Sequence, residues 1–160
     1  MQQSTDGAPM PKVSDITAVH ITLEIDGKQS LFVLLSQDGT VNRLGTGAVN
    51  NAENDLFIGI SSEPLIEQAK QSLTDDMLDH MGGYDVPDQK GASCKLSIGF
   101  QFADGGENGF GFSYGSESQG PPQEITQFVV AAVEATEPWY QSQKKMTGGG
   151  GSTKPWWKFW

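Results

Sequence analysis

The chain reads as an α+β fold: a mainly antiparallel sheet of about five to six strands in two hairpin-plus-helix units, with two helices on one face. A flexible, glycine-linked, tryptophan-rich tail follows at the C-terminus. Three observations carry this reading. Apolar residues alternate with polar ones in two separate parts of the chain, at Val19, Ile21, Leu23, Ile25 and again at Cys94, Leu96, Ile98, Phe100, Phe102. Each alternating part is followed by a stretch with helical spacing that opens on proline. Finally, three of the four tryptophans lie in the last five residues, behind the glycine run Gly148–Gly151.

The elements follow in order. Residues 1–13 are expected to be disordered; they are polar, contain Pro9 and Pro11, and lack the apolar core of a signal peptide. Ile16 to Asp26 alternates with a period of two, the mark of a half-buried strand. Asp26-Gly27-Lys28 turns the chain, since Asp and Gly supply what turns require. Leu31 to Leu35 is a continuous apolar run, expected as a central strand covered in part on both faces. Asp38-Gly39 is a hairpin signal, and Thr40 to Leu44 returns. A polar loop over 46–55 leads to Leu56–Ile60, read as a fourth strand or a buried connection.

Ser61 or Ser62 caps a helix that Pro64 opens, where the missing N–H costs nothing. Leu65, Ala69, Leu73 and Met77 recur every four residues, with Ile66 and Met81 beside them, and predict one buried helical face. Gly82-Gly83 is expected to stop that helix. Residues 84–91 read as a connection. The second hairpin turns through Asp104–Gly109 and returns along Phe110, Phe112 and Tyr114, interleaved with glycines. Pro121-Pro122 introduces a helix with Ile125, Phe128, Val129, Ala132, Val133 and Thr136 on its inner face. Pro138 should end or kink it, and Trp139 and Tyr140 should fold back onto the body. The domain is therefore drawn at 14–143, with a flexible linker over 144–153 and a docking tail over 154–160.

Charge narrows the function classes. The net charge is −10, and all 20 acidic residues lie at or before Glu137. Six basic residues precede that point, so the body carries −14, while Lys144, Lys145, Lys154 and Lys158 make the end positive. An acidic body repels nucleic-acid phosphates, so a nucleic-acid partner is not expected. It suits either simple solubility or a basic protein partner. The single cysteine, Cys94, excludes an internal disulfide and fits a cytoplasmic, reducing setting. No stretch approaches the roughly 20 apolar residues that a membrane-spanning helix needs.

Chemistry-bearing residues are few. Asp76 and His80 share a helix face but have no visible third ligand, and His20 stands on the polar side of the first strand. Cys94 alternates into the apolar face, as a small core residue does. The glycine-rich 104–115 stretch lacks the Lys-Ser/Thr and helix start of a phosphate loop. Neither a metal, nor a cofactor, nor an enzymatic activity is expected. The loop with Tyr114, Ser116, Glu117, Ser118 and Gln119 is a possible binding loop, being long, polar and held between a strand and a helix.

The tail is the leading candidate for contact. Trp156, Trp157, Phe159 and Trp160 offer large apolar area; Lys154 and Lys158 add charge, and Pro155 stiffens the entry. This predicts a non-enzymatic adaptor that inserts its KPWWKFW peptide into an apolar groove on a protein partner or on a second copy of itself. One alternative is an inhibitor or immunity-type protein whose acidic body blocks a basic enzyme. Another is weak membrane-surface association, with aromatic rings at the headgroup level and lysines near anionic lipid. A further reading takes the glycine–serine run as an engineered linker of the usual flexible kind. A glycine-rich tether of this length gives roughly 12–16 Å of slack, so the plug should dock near the end of the second helix.

Overall fold

Period-two alternation in the sequence becomes one continuous seven-stranded sheet. The computed structural model describes residues 11–48 and 51–147. A 3-10 turn at Val13–Asp15 leads into β1 (Ile16–Ile25), β2 (Lys28–Ser36), β3 (Thr40–Gly45) and β4 (Phe57–Ile60). Two short helices follow, α1 (Leu65–Lys70) and α2 (Asp75–Leu78). Then come β5 (Gly82–Asp85), β6 (Ser93–Phe102), β7 (Glu107–Gly115) and the long helix α3 (Gln123–Thr147). The strand order is β4-β3-β2-β1-β6-β7-β5. Every pair is antiparallel except β5 with β7.

Register explains the core. Ile21 sits between Val33 on one side and Ile98 on the other, and Ile98 in turn faces Phe110. Leu23, Leu31, Leu96 and Phe112 form the next row. These residues share a core with Leu65, Ile66, Ala69, Leu73, Met77, Leu78, Ile125, Phe128 and Ala132, so the helices cover one sheet face. Burying each large side chain contributes about 1.5–3 kcal/mol, which is why the alternation is so regular here. The opposite face is wetter, carrying exposed His20, Glu24, Lys95, Ser97 and Gln101. The first hairpin turns tightly, with Asp26 at φ 52 and Gly27 at φ 80, the left-handed pair that a two-residue turn needs.

Several expectations require correction. Seven strands replace the expected five to six, because Gly82-Gly83 does not stop a helix: α2 already ends at Leu78, with Asp79 as its C-cap, and the pair begins β5, an edge strand lying parallel to β7. The single helix expected from the four-residue stripe is two helices. Residues 71–74 interrupt it with tight i→i+3 bonds, and Thr74 Oγ1 accepts from Met77 N at 3.3 Å to cap α2. The apolar stripe survives the break, since Leu65, Ala69, Leu73 and Met77 are all buried. Leu56–Ile60 is no buried connection: Ile58 is 66% and Ile60 75% exposed on the edge strand β4.

Pro138 neither ends α3 nor marks the boundary of the body, because the helix runs on to Thr147. A proline deprives the preceding turn of a backbone bond. The helix around it is tied to the sheet. Arg43 Nη1 donates to Val133 O (3.3 Å) and to Thr136 Oγ1 (3.0 Å), while Thr136 Oγ1 reaches Ala132 O at 2.9 Å. Trp139 does lie against the body, over Gly59 of β4, where a Cβ would come within 2.9 Å of its ring. Of the linker expected over 144–153, residues 144–147 belong to α3, and the remainder and the tail lie outside the described residues.

Candidate functional site

The two ends of α3 meet the sheet in different ways. Near its C-terminal end the contact is polar and filled. Arg43 takes a core position on β3, opposite Val33, and is only 1% exposed. Its guanidinium lies 4.3 Å from the centre of the Tyr140 ring, donates to Gly45 O at 3.0 Å, and pairs with Glu137 at 3.1 Å. Tyr140 donates to Glu53 Oε1 at 2.6 Å and accepts from Gly45 N at 3.1 Å. Lys144 also reaches Glu53, at 3.1 Å. Burial, joined by the bond to Glu53, pushes the Tyr140 hydroxyl up to about 12. Glu53 is held below the usual carboxylate range, chiefly by that same Tyr140 bond. This network ties the 46–56 loop to the helix. Its groups are mutually satisfied, so it is a structural clamp.

At the N-terminal end of α3 the contact is apolar and open. A cleft of about 360 Å³ lies between the sheet edge, the end of α2 and the start of α3. Its floor is aromatic: Tyr84 of β5 stacks on Phe112 at 5.3 Å, and Phe112 stacks on Phe110 at 6.0 Å. Pro121, Pro122 and Ile125 form one wall, and Met77 and His80 the other. Tyr84 is 45% exposed, an unusual position for so large a ring, and its hydroxyl donates to the carbonyl of His80. That bond anchors the ring to the end of α2. Asp85 and Glu124 stand at the rim, and both are exposed. An open, mostly apolar cleft with a few polar groups at its edge is the form of a docking pocket.

The local sequence explains the cleft. The double glycine lets the chain leave α2 and join the sheet beside β7, bringing Tyr84 into register with Phe112. Pro121-Pro122 holds the entry to α3 away from the helix ladder, and the Pro122 carbonyl accepts the first turn's bonds from Ile125 and Thr126. None of the cleft's floor was marked as a site by sequence reasoning. The available signal was the pair Tyr84 and Val86, alternating behind two glycines as a short strand does.

The sequence-marked residues are placed as follows. Ser118 Oγ bonds both Gly115 N (2.9 Å) and Gly115 O (3.0 Å), closing its own turn. Ser116 Oγ accepts from Ala92 N at 2.9 Å, joining the loop to the start of β6. Glu117 and Gln119 are exposed, and Tyr114 is half-buried at the edge of the core. The 116–119 loop therefore spends both hydroxyls on its own geometry, while its continuation, 120–122, lines the cleft. His20 covers Gly99 on the far face of the sheet, beside a hollow that Gly82 and Gly83 also line, while His80 lines the cleft. Cys94 is 4% exposed, and burial, then Asp26, raises its thiol, keeping it protonated. Among the described residues no group of three or more His, Cys, Asp or Glu is placed to hold a metal ion. Lys154, Pro155, Trp156, Trp157, Lys158, Phe159 and Trp160 lie outside the described residues.

Comparison with known proteins gives no match to any family model or to any curated protein. Among the described residues no helix is long and apolar enough to cross a membrane.

Proposed function

We propose that this chain is a non-enzymatic protein-interaction module that works in the cytoplasm and docks peptide segments through apolar anchors. The observation that carries the reading is the open aromatic cleft over Tyr84, Phe110 and Phe112. Aromatic anchors buried in pockets dominate protein interfaces, and a half-exposed stacked tyrosine is a ready partner for one. The acidic rim at Asp85 and Glu124 favours a ligand with basic residues among its aromatics. The aromatic C-terminal peptide is the second docking element, presented to a groove on a partner. The free, buried thiol of Cys94 supports the reducing compartment.

A display selection of random peptides against the full chain tests this reading. Enrichment of peptides that combine aromatic and basic residues is expected, and Tyr84→Asp should abolish it. If nothing is enriched, or if Tyr84→Asp selects the same peptides, the cleft is not a docking site.

A further inference from the structure

The cleft and the tail are chemically complementary, and the length of α3 decides which molecule supplies the tail. We infer that the cleft receives the aromatic C-terminal peptide of a second copy of this chain, so that the protein associates tail-to-cleft. The inference rests on the docking reading above and names its occupant.

The chemical match comes first. The cleft offers stacked rings and prolines under two carboxylates, Asp85 and Glu124. The tail offers four aromatic rings interleaved with Lys154 and Lys158. Aromatic rings on an aromatic floor gain affinity beyond the area they bury. Opposite charges at the rim steer and orient the approach. A volume of about 360 Å³ admits side-chain anchors rather than a whole helix, as a short linear peptide requires.

Reach then selects the donor. α3 has 25 residues, so its ends stand about 36 Å apart at 1.5 Å per residue. The cleft lies at the first end and the tail departs from the other. The nine steps from Thr147 to Trp156 span at most about 30–32 Å when fully extended. A glycine-rich coil of that length averages roughly 15–18 Å. Trp156 and Trp157 therefore fall short of their own molecule's cleft. Phe159 and Trp160 would reach it only by stretching glycines that lose most entropy when ordered. A groove within easy reach exists beside Pro138 and Trp139, but it is lined largely by Ser61, Ser62, Glu63, Gln68, Ser142 and Gln143. Its one aromatic ring, Trp139, is already seated on Gly59. An aromatic plug gains more from the distant cleft, and a second copy brings one without stretching. A tail-to-cleft contact is heterologous: it closes into a reciprocal pair or a ring, or extends as a chain.

Sedimentation of three proteins and one mixture tests the inference. The full chain should show concentration-dependent association. A chain stopped after Thr147 should be monomeric, and so should full-length Tyr84→Asp, each losing at least about thirty-fold in affinity, as removal of a hot-spot contact does. Pro122→Asp, on the opposite wall and exposed, should do the same should Tyr84→Asp disturb β5. The mixture decides: the tail-less chain with an intact cleft and the tailed chain with a blocked cleft should form a one-to-one complex, although neither associates alone. A full chain that stays monomeric into the millimolar range overturns the inference, whether the tail then packs on its own molecule or binds vesicles of anionic lipid. So does association that persists in Tyr84→Asp and Pro122→Asp together. In either case the peptide selection still decides the docking reading, so the two fail separately.

Discussion

The helix α3 is held in two ways along its length, and the contrast separates structure from function. Towards Thr147, a buried arginine, a tyrosine and a glutamate close on each other until every donor is matched with an acceptor. Towards Gln123, Tyr84 stacks on the buried Phe112 and leaves its own ring 45% exposed. A saturated polar network has nothing to offer a partner and is costly to break. An unsatisfied aromatic floor costs little to alter but has contact area to give. Substitutions at the clamp should therefore lower stability, and substitutions at the cleft should lower binding.

The largest effect is expected at Arg43. Arg43→Ala removes the donor to Val133 O and Thr136 Oγ1 and uncovers the Tyr140 ring. Destabilisation of at least about 3 kcal/mol should follow, since bonds from a charged donor contribute about 1.5–3 kcal/mol each and both Gly45 O and Val133 O lose theirs. Urea unfolding measures it. A loss below about 1 kcal/mol would show that the clamp is ornamental and would erase the contrast between the two ends.

Tyr140→Phe comes next, because it keeps the ring over Arg43 and removes only the hydroxyl. Gly45 N and Glu53 then lose a partner, at about 1–3 kcal/mol. The same variant isolates the pH dependence. Tyr140 titrates near 12 in the folded protein against 10 when unfolded, so its neutral form is favoured by folding. That contribution is complete below pH 10 and is lost as pH rises from 10 to about 12. Glu53 behaves oppositely: its folded value is lowered from 4.5, so its contribution is present above 4.5 and fades as pH falls further. Stability should thus drop at both extremes. In Tyr140→Phe the alkaline drop should shrink and the acidic one should weaken, because Tyr140 is the chief cause of the Glu53 shift. An unchanged alkaline profile would assign that drop to other groups.

The clamp and the cleft were unequally legible in the sequence. Alternation at Val19–Ile25 and Cys94–Phe102 identified the central strands, because each buried side chain there obeys a strict period of two. Arg43 alternates in the same way, at a core position of β3, but a charged residue inside an apolar row is readable only when its partners 90 or more residues away are in view. Pro138 misled for the same reason, since the helix around it is held by contacts to β3 that its neighbours in sequence do not report. Gly82-Gly83 fits a helix stop in the local sequence, but α2 ends earlier, at Leu78, and the pair starts an edge strand whose only local sign is the alternation of Tyr84 and Val86. Tyr84 therefore read as loop, and the cleft that it floors depends on a parallel pairing with β7 that no short-range pattern encodes.

The smallest effect on stability, and the sharpest test of the contrast, belongs to Tyr84. Its ring is half in solvent, on a four-residue strand at the sheet edge. Tyr84→Ala removes one stacking contact and the bond to the His80 carbonyl, both at an exposed position. Destabilisation should stay near or below about 1 kcal/mol, since the stacking partner Phe112 remains covered by its own neighbours and the freed carbonyl meets water. Binding of a soluble KPWWKFW peptide, followed by the blue shift of its tryptophan emission, should nevertheless fall by at least about tenfold. Arg43→Ala, measured where it is still folded, should bind the peptide as the parent does. If the two variants exchanged these behaviours, Tyr84 would be part of the scaffold and the docking surface would lie at the other end of the helix.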